Sequence, residues 1–161
     1  MAVDMFLKVD GIDGESQDKS HKSDIDILSF SWGASNSSSI GTGSGGGAGK
    51  VAMQSFNITF YQNQASPKLM LACASGEHIK KATFVCRKQG KEQQEFLKII
   101  LSDILISSYQ MGASSGGDSI PIDQASIDFT KFEHHYKPQK ADGSLGAAII
   151  SGWDVKGNVK V

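Results

Sequence analysis

Three groups of residues in this chain have the types and spacing to do chemistry. Gly41, Gly43 and Gly46 fit G-x-G-x-x-G, a pattern that cradles phosphate at a helix N-terminus. It needs a strand before the glycines and a helix after them. Here a strand pattern follows, so the helix end that would hold the anion is missing. The P-loop version also fails, because Ser44 stands where a glycine is needed and Val51 follows Lys50 where a hydroxyl is needed. Next, Gly112-Ala113-Ser114-Ser115-Gly116 satisfies G-x-S-x-G, with Asp118 and His134 following in hydrolase order. That elbow works by a strained strand-to-helix turn that lifts the serine. Gly-Asp-Ser-Ile-Pro after Gly116 cannot open such a helix, and a surface turn explains the match better. Last, His21, His78, His134 and His135 are possible metal ligands with Cys73 and Cys86. Adjacent His134 and His135 point to opposite faces of a strand, and no C-x-x-C or H-x-x-x-H spacing exists. The reading is no catalytic residue, no cofactor and no metal. The sequons at Asn36 and Asn57 are chance matches if the chain takes no secretory route.

The composition narrows the class further. A chain of 161 residues suits one domain, 1–161, and buries roughly 70% of its unfolded surface without staples. Lys+Arg of 16 against Asp+Glu of 17 leaves a net charge of −1. A nucleic-acid binder would need a basic face, so that partner is excluded, while copies of the chain can approach with little repulsion. Cys73 and Cys86 lie in apolar or alternating patterns and read as buried thiols. The N-terminus has no basic region followed by an apolar stretch, and no run reaches the length that spans a bilayer. The expectation is a cytosolic protein, or one exported without a signal peptide, with no membrane insertion.

The elements that must position any site read mostly with period two. Strands are expected over 5–9, 24–32, 51–61, 82–88, 95–111 with a bend at Ser102-Asp103, 120–136 in two parts, and 147–155. In 24–32 the apolar residues change face: Ile25 and Ile27 share one side, then Leu28, Phe30 and Trp32 the other. Such a switch predicts a bulge or a change of partner near Ile27. Over 51–61, Phe56, Ile58 and Phe60 face inward and Asn57, Thr59 and Tyr61 outward. Ser66-Pro67 reads as a helix cap and first turn, and Gly76 as the stop, giving one short helix over about 67–75. That helix is apolar on nearly every side, which predicts cover on several sides. Residues 33–50 form a long Gly/Ser-rich loop. Together these predict a mainly β fold, a compact antiparallel barrel of two sheets with one flanking helix.

Several stretches, taken in order, carry a resemblance. They are Met1-Ala2-Val3-Asp4-Met5-Phe6-Leu7-Lys8, then Gly14-Glu15-Ser16, Asp18-Lys19 and His21, then Ser31-Trp32-Gly33. Gly45-Gly46-Gly47-Ala48-Gly49-Lys50-Val51 comes next, followed by Pro67, Leu69-Met70, Ala72-Cys73, Ser75-Gly76 and His78. Tyr136, Pro138-Gln139-Lys140-Ala141-Asp142-Gly143 and Gly152-Trp153 complete the set. In this order the chain resembles the haemolysin-coregulated protein family, Hcp, the inner-tube subunits of bacterial type VI secretion systems. The resemblance implies an antiparallel β-barrel that assembles into homohexameric rings, stacked head-to-tail inside a contractile sheath. The implied partners are other copies, effector proteins in the lumen, and the sheath and spike of the apparatus. The implied setting is the bacterial cytoplasm, with export to the exterior or a target cell.

Two sets of site residues follow. By the resemblance, the loop positions Ser39, Ile40, Gly45, Gly46, Gly47, Ala48, Gly49 and Lys50 would make ring or stacking contacts. Ser29 and Ser31 alternate with Phe30 and Trp32, so one face of their strand is small and polar; they are the lumen candidates, with Asn57 and Thr59 as neighbours. Two other functions stay in view. A small-molecule-binding β-barrel would need an open interior, and a serine hydrolase would need Ser114.

Overall fold

Alternation in the sequence becomes a nearly all-antiparallel structure. In chain order the elements are β1 (Val3–Val9), β2 (Ile25–Asp26), β3 (Ser29–Ser31), β4 (Ala34–Asn36), β5 (Val51–Met53) and β6 (Phe56–Tyr61). The helix α1 (Ala65–Ser75) follows, then β7 (His78–Lys88), β8 (Gln94–Gly112), β9 (Ile122–Tyr136), β10 (Ile149–Asp154) and β11 (Val159–Lys160). The computed structural model describes residues 2–37, 50–90, 94–117 and 120–161. The loop positions Ser39, Ile40, Gly45, Gly46, Gly47, Ala48 and Gly49 lie outside them, as do Gly41, Gly43 and Asp118.

The change of face at Ile27 is a change of partner. Ile25 and Asp26 pair with β1, and the Ile27 amide donates to the Met5 carbonyl at 2.9 Å. One residue later the Leu28 amide donates to the Thr59 carbonyl at 2.8 Å, and Ser29–Ser31 pair with β6. The other antiparallel pairings are β6 with β9, β9 with β8, β8 with β7 and β7 with β1. They lead from one half of this segment back to the other. The described strands form one nine-stranded sheet and a separate pair, β4 with β5.

Several expected boundaries move. The expected strand 24–32 is two short strands, and 51–61 breaks at Gln54-Ser55 so that β5 pairs with β4 and β6 with β3 and β9. The start of the expected loop is therefore a strand, β4, whose Ala-Ser-Asn sequence carries no alternation to reveal it. The expected two-part strand 120–136 is one strand of 15 residues. Its first half pairs with β6 and its second with β10, and only that change of neighbour imitates a break. The bend expected at Ser102-Asp103 is present as a left-handed residue, with Asp103 at φ 50.

The helix begins earlier than expected, at Ala65, so Ser66 is not its cap. Gln64 stands at the cap without a side-chain cap hydrogen bond; just before it, Asn63 Oδ1 accepts from the Ala65 amide at 2.8 Å, while the Asn63 amide donates to Ser66 Oγ at 3.0 Å. Gly76 ends the helix at φ 68, the conformation glycine adopts without strain. Cover on several sides is not what the fold provides. Leu69 and Ala72 enter the core, but Met70 and Leu71 are exposed. Cys86 is buried, which pushes its thiol pKa up, while Cys73 is only half-buried. The core is filled by large side chains, with Phe56, Phe60 and Phe84 fully buried among Ile and Leu from six strands and the helix. Each such ring contributes about 2–3 kcal/mol by leaving water.

Candidate functional site

The sequence places small polar residues on alternate positions of β3 and β6, and the pairing brings them into rows. Ser31 stands opposite Asn57 and Ser29 opposite Thr59. The same rows run on across β9 and β8, through Ser126 to Ser108 and through Gln124 to Gln110. Side chains in a row are within reach of one another. Ser126 Oγ donates to Asn57 Oδ1 at 2.6 Å, and Asn57 Nδ2 donates to Ser31 Oγ at 3.4 Å. The hydroxyls of Ser29 and Thr59 are hydrogen-bonded to each other.

These rows line a groove of about 340 Å³. No charged side chain of the described residues lines it. The face carries donors and acceptors in both directions and is indifferent to the sign of an approaching charge. All four lumen candidates, Ser29, Ser31, Asn57 and Thr59, lie on it. Ser108, Gln110, Gln124 and Ser126 were missed. The alternation of Gln124 and Ser126 with Asp123, Ala125 and Ile127 is plain in the sequence, but nothing there says that this strand borders β6.

Beneath the face lies a buried carboxylate. Asp123 is fully buried, accepting from Ser66 Oγ at 2.6 Å and from the Tyr109 hydroxyl, which ties the start of α1 to β9 and β8. Burial, with the neighbouring Asp123 carboxylate, pushes the Tyr109 pKa up to about 12.

The polar segment 16–23 is not a loose loop. It covers the outer face of β1 and β7, where Phe6 is opposite Val85 and Asp4 opposite Arg87. Arg87 is 3% exposed and donates from Nη1 to Asp18 Oδ1 at 2.9 Å. His21 reaches Asp24 through Nδ1 at 2.9 Å and Glu95 through Nε2 at 2.6 Å, and its ring stacks on Phe6. This cluster fastens the segment to the sheet.

The other chemistries find no geometry. Gly112 closes β8, residues 113–117 are an exposed turn, and the next described element is the strand β9, so Ser114 is on no elbow. His134 is exposed and His135 half-buried in the same strand. Among the described residues, no group of three or more His, Cys, Asp or Glu is placed to hold a metal ion. Among them, too, no helix is long and apolar enough to cross a membrane. Of the eight loop positions only Lys50 is described, and it is exposed.

The chain as a whole is similar to known proteins. Residues 6–136 match the family model for "Type VI secretion system effector, Hcp". The chain is 44% identical over 162 residues to protein hcp1 of Pseudomonas aeruginosa, covering 99% of both chains. Among solved structures it is similar to Hcp1 from Salmonella typhimurium, at 33% identity, TM-score 0.81 and full coverage of both chains. It is similar again to a structure described as a type six secretion system protein, at 30% identity and TM-score 0.93, covering 99% of this chain and 100% of that one.

Proposed function

Because the chain belongs to the Hcp family of type VI secretion proteins, whose members are tube subunits and not enzymes, we propose that its uncharged face is the wall along which cargo travels. In this reading the protein forms homohexameric rings that stack head-to-tail, with Ser29, Ser31, Asn57 and Thr59 turned to the lumen. Effector proteins ride in the hollow, and the sheath and spike surround and tip the tube. The loop residues Ser39, Ile40, Gly45 to Gly49 and Lys50 take part in ring or stacking contacts. The subunit is made in the bacterial cytoplasm and leaves through the apparatus itself.

The observation that carries the reading is the pair of polar rows, Ser31–Asn57–Ser126–Ser108 and Ser29–Thr59–Gln124–Gln110, without a charge among them. A wall that must hold cargo and release it needs many weak, wet contacts instead of a few strong ones. Neutral hydrogen-bonding groups each contribute only about 0.5–1.5 kcal/mol net. Small side chains also keep the passage wide. The ligand-barrel reading is disfavoured by an interior already filled by Phe56, Phe60 and Phe84.

Negative-stain microscopy of the purified chain, with native mass spectrometry, tests the assembly. Annular particles and a six-fold mass are expected. A strictly monomeric species at high micromolar concentration would overturn the reading.

A further inference from the structure

We infer that each copy carries, at one end of the polar wall, a notch that takes a single apolar side chain of the cargo. The inference rests on the tube-subunit reading and names the chemistry that the wall recognises. Two residues along the strands from the row Ser29–Thr59–Gln124–Gln110, Tyr61 stands opposite Ile122 and Ile122 opposite Gly112. Alternation puts this row on the same face as the polar ones. Tyr61 and Ile122 are 47% and 41% exposed there. Gly112 adds no side chain, and the row ends in a notch of about 260 Å³ lined by Gln110, Met111, Gly112, Ile122 and Gln124.

The start of β9 runs against its own hydropathy. Ile122 faces out, while its neighbour Asp123 faces in and is fully buried with Ser66 and Tyr109. A slip of one residue would reverse both. The fold instead satisfies a carboxylate inside and leaves an isoleucine in water. A departure of this kind from the alternating pattern is expected where a surface has a partner. The far end of the wall differs: beside the row of Ser31 and Asn57, Ser55 donates to the exposed carboxylate of Asp128.

The lining selects the occupant. No charged side chain of the described residues lines the notch or the two rows it adjoins, so a charged group entering it would lose water without gaining a partner. The volume is below the roughly 300–1,000 Å³ of sites that enclose a whole small molecule, and it suits one side chain the size of Leu, Met or Phe. Gln110 and Gln124 belong both to the notch and to the adjoining row, which makes the two surfaces continuous. Their amides donate and accept, matching the N–H and C=O groups of a peptide on either side of the inserted residue. One such contact is weak. A ring repeats it once in each copy, and several engaged together retain cargo that any one would release.

The probe is a short Ser/Gly peptide with one central Leu, blocked at both ends, titrated into rings labelled at isoleucine methyls. The Ile122 methyl resonance, identified by its loss in Ile122→Leu, is expected to shift and saturate. The same peptide with Asp in place of Leu should leave it unmoved. Gly112→Val fills the notch without strain, since a Cβ there would meet no atom within 4 Å, and should weaken the Leu peptide about tenfold. Asp128→Asn, at the far end of the wall, should change nothing. Intact rings by native mass spectrometry with an unmoved Ile122 methyl, or with an equal response to both peptides, would overturn the notch and leave the tube reading standing. No rings from the unsubstituted chain would overturn both. The two-peptide comparison uses the unsubstituted chain, so it decides even if Gly112→Val does not assemble.

Discussion

Arg87 and Asp18 lie 69 positions apart in the chain, yet the guanidinium of one grips both carboxylate oxygens of the other. Arg87 is almost wholly out of water, so the pair must remain intact or leave a buried charge behind. Asp18→Asn is expected to lower stability by about 1–3 kcal/mol, read from the midpoint of urea unfolding at neutral pH. Asp4, which also faces Arg87, keeps the loss from being larger.

The same contact makes an acid-sensitive term. The Arg87 hydrogen bond holds the Asp18 carboxyl down to about 2, against an ordinary 3.8. A carboxyl lowered in the folded state stabilises fully above its unfolded value, and that stabilisation fades as pH falls toward the folded one. Unfolding midpoints of the natural chain should therefore drop between about pH 4 and pH 2. In Asp18→Asn the drop should be shallower over that window, and equal slopes would contradict the assignment.

Tyr109 works at the other end of the scale. Its hydroxyl donates to the buried Asp123, and its pKa is raised to about 12 from 10.0. A raised value in the folded state means the stabilisation is complete below the unfolded pKa and lost as pH rises through the folded one. Stability should fall between about pH 10 and pH 12, and Tyr109→Phe should flatten that limb. At neutral pH the variant should cost about 1–3 kcal/mol, because it removes a donor from a buried carboxylate. Thermal unfolding followed by near-UV circular dichroism checks both.

Gly14 has no room for a side chain. A Cβ there would stand 2.5 Å from the Asp24 carbonyl oxygen and 2.8 Å from the Ile25 Cα, both backbone atoms that cannot swing aside. Gly14→Ala is expected to cost about 1–3 kcal/mol and to loosen the segment that carries Asp18 and His21. Faster amide exchange at residues 16–24 in the variant would register that loosening.

On the polar face, Ser31→Gln should leave assembly intact, since Ser31 is exposed and its nearest polar partner, Asn57, bonds to Ser126 as well. Retention of a cognate effector should fall about tenfold, the equivalent of 1.4 kcal/mol. Co-expression of chain and effector, followed by size exclusion and quantification of both, measures it. Unchanged retention in intact rings would remove Ser31 from the lumen.

Alternation alone settled much of this protein. Which residues of β6 turn inward is legible in Phe-Asn-Ile-Thr-Phe-Tyr, because a strand must send successive side chains to opposite faces. An interruption at Ile27, as a bulge or a change of partner, was legible too, since two adjacent apolar residues cannot share a face within one uninterrupted strand; the structure shows the change of partner. The stop at Gly76 followed from the left-handed turn that glycine makes without strain. Motif order along the chain was enough to indicate the family.

Only the tertiary structure decided which strands are neighbours. Backbone hydrogen bonds are the same for any sequence, so pairing is chosen by long-range packing that period-two patterns do not encode. That choice put Ser126 and Ser108 in the row of Ser31, joined Arg87 to Asp18, and left one edge of β3 and of the end of β8 without a strand partner among the described residues. It also exposed Met70 and Leu71 on a helix whose composition predicted cover, because how much of an apolar helix is covered depends on what the rest of the chain brings against it.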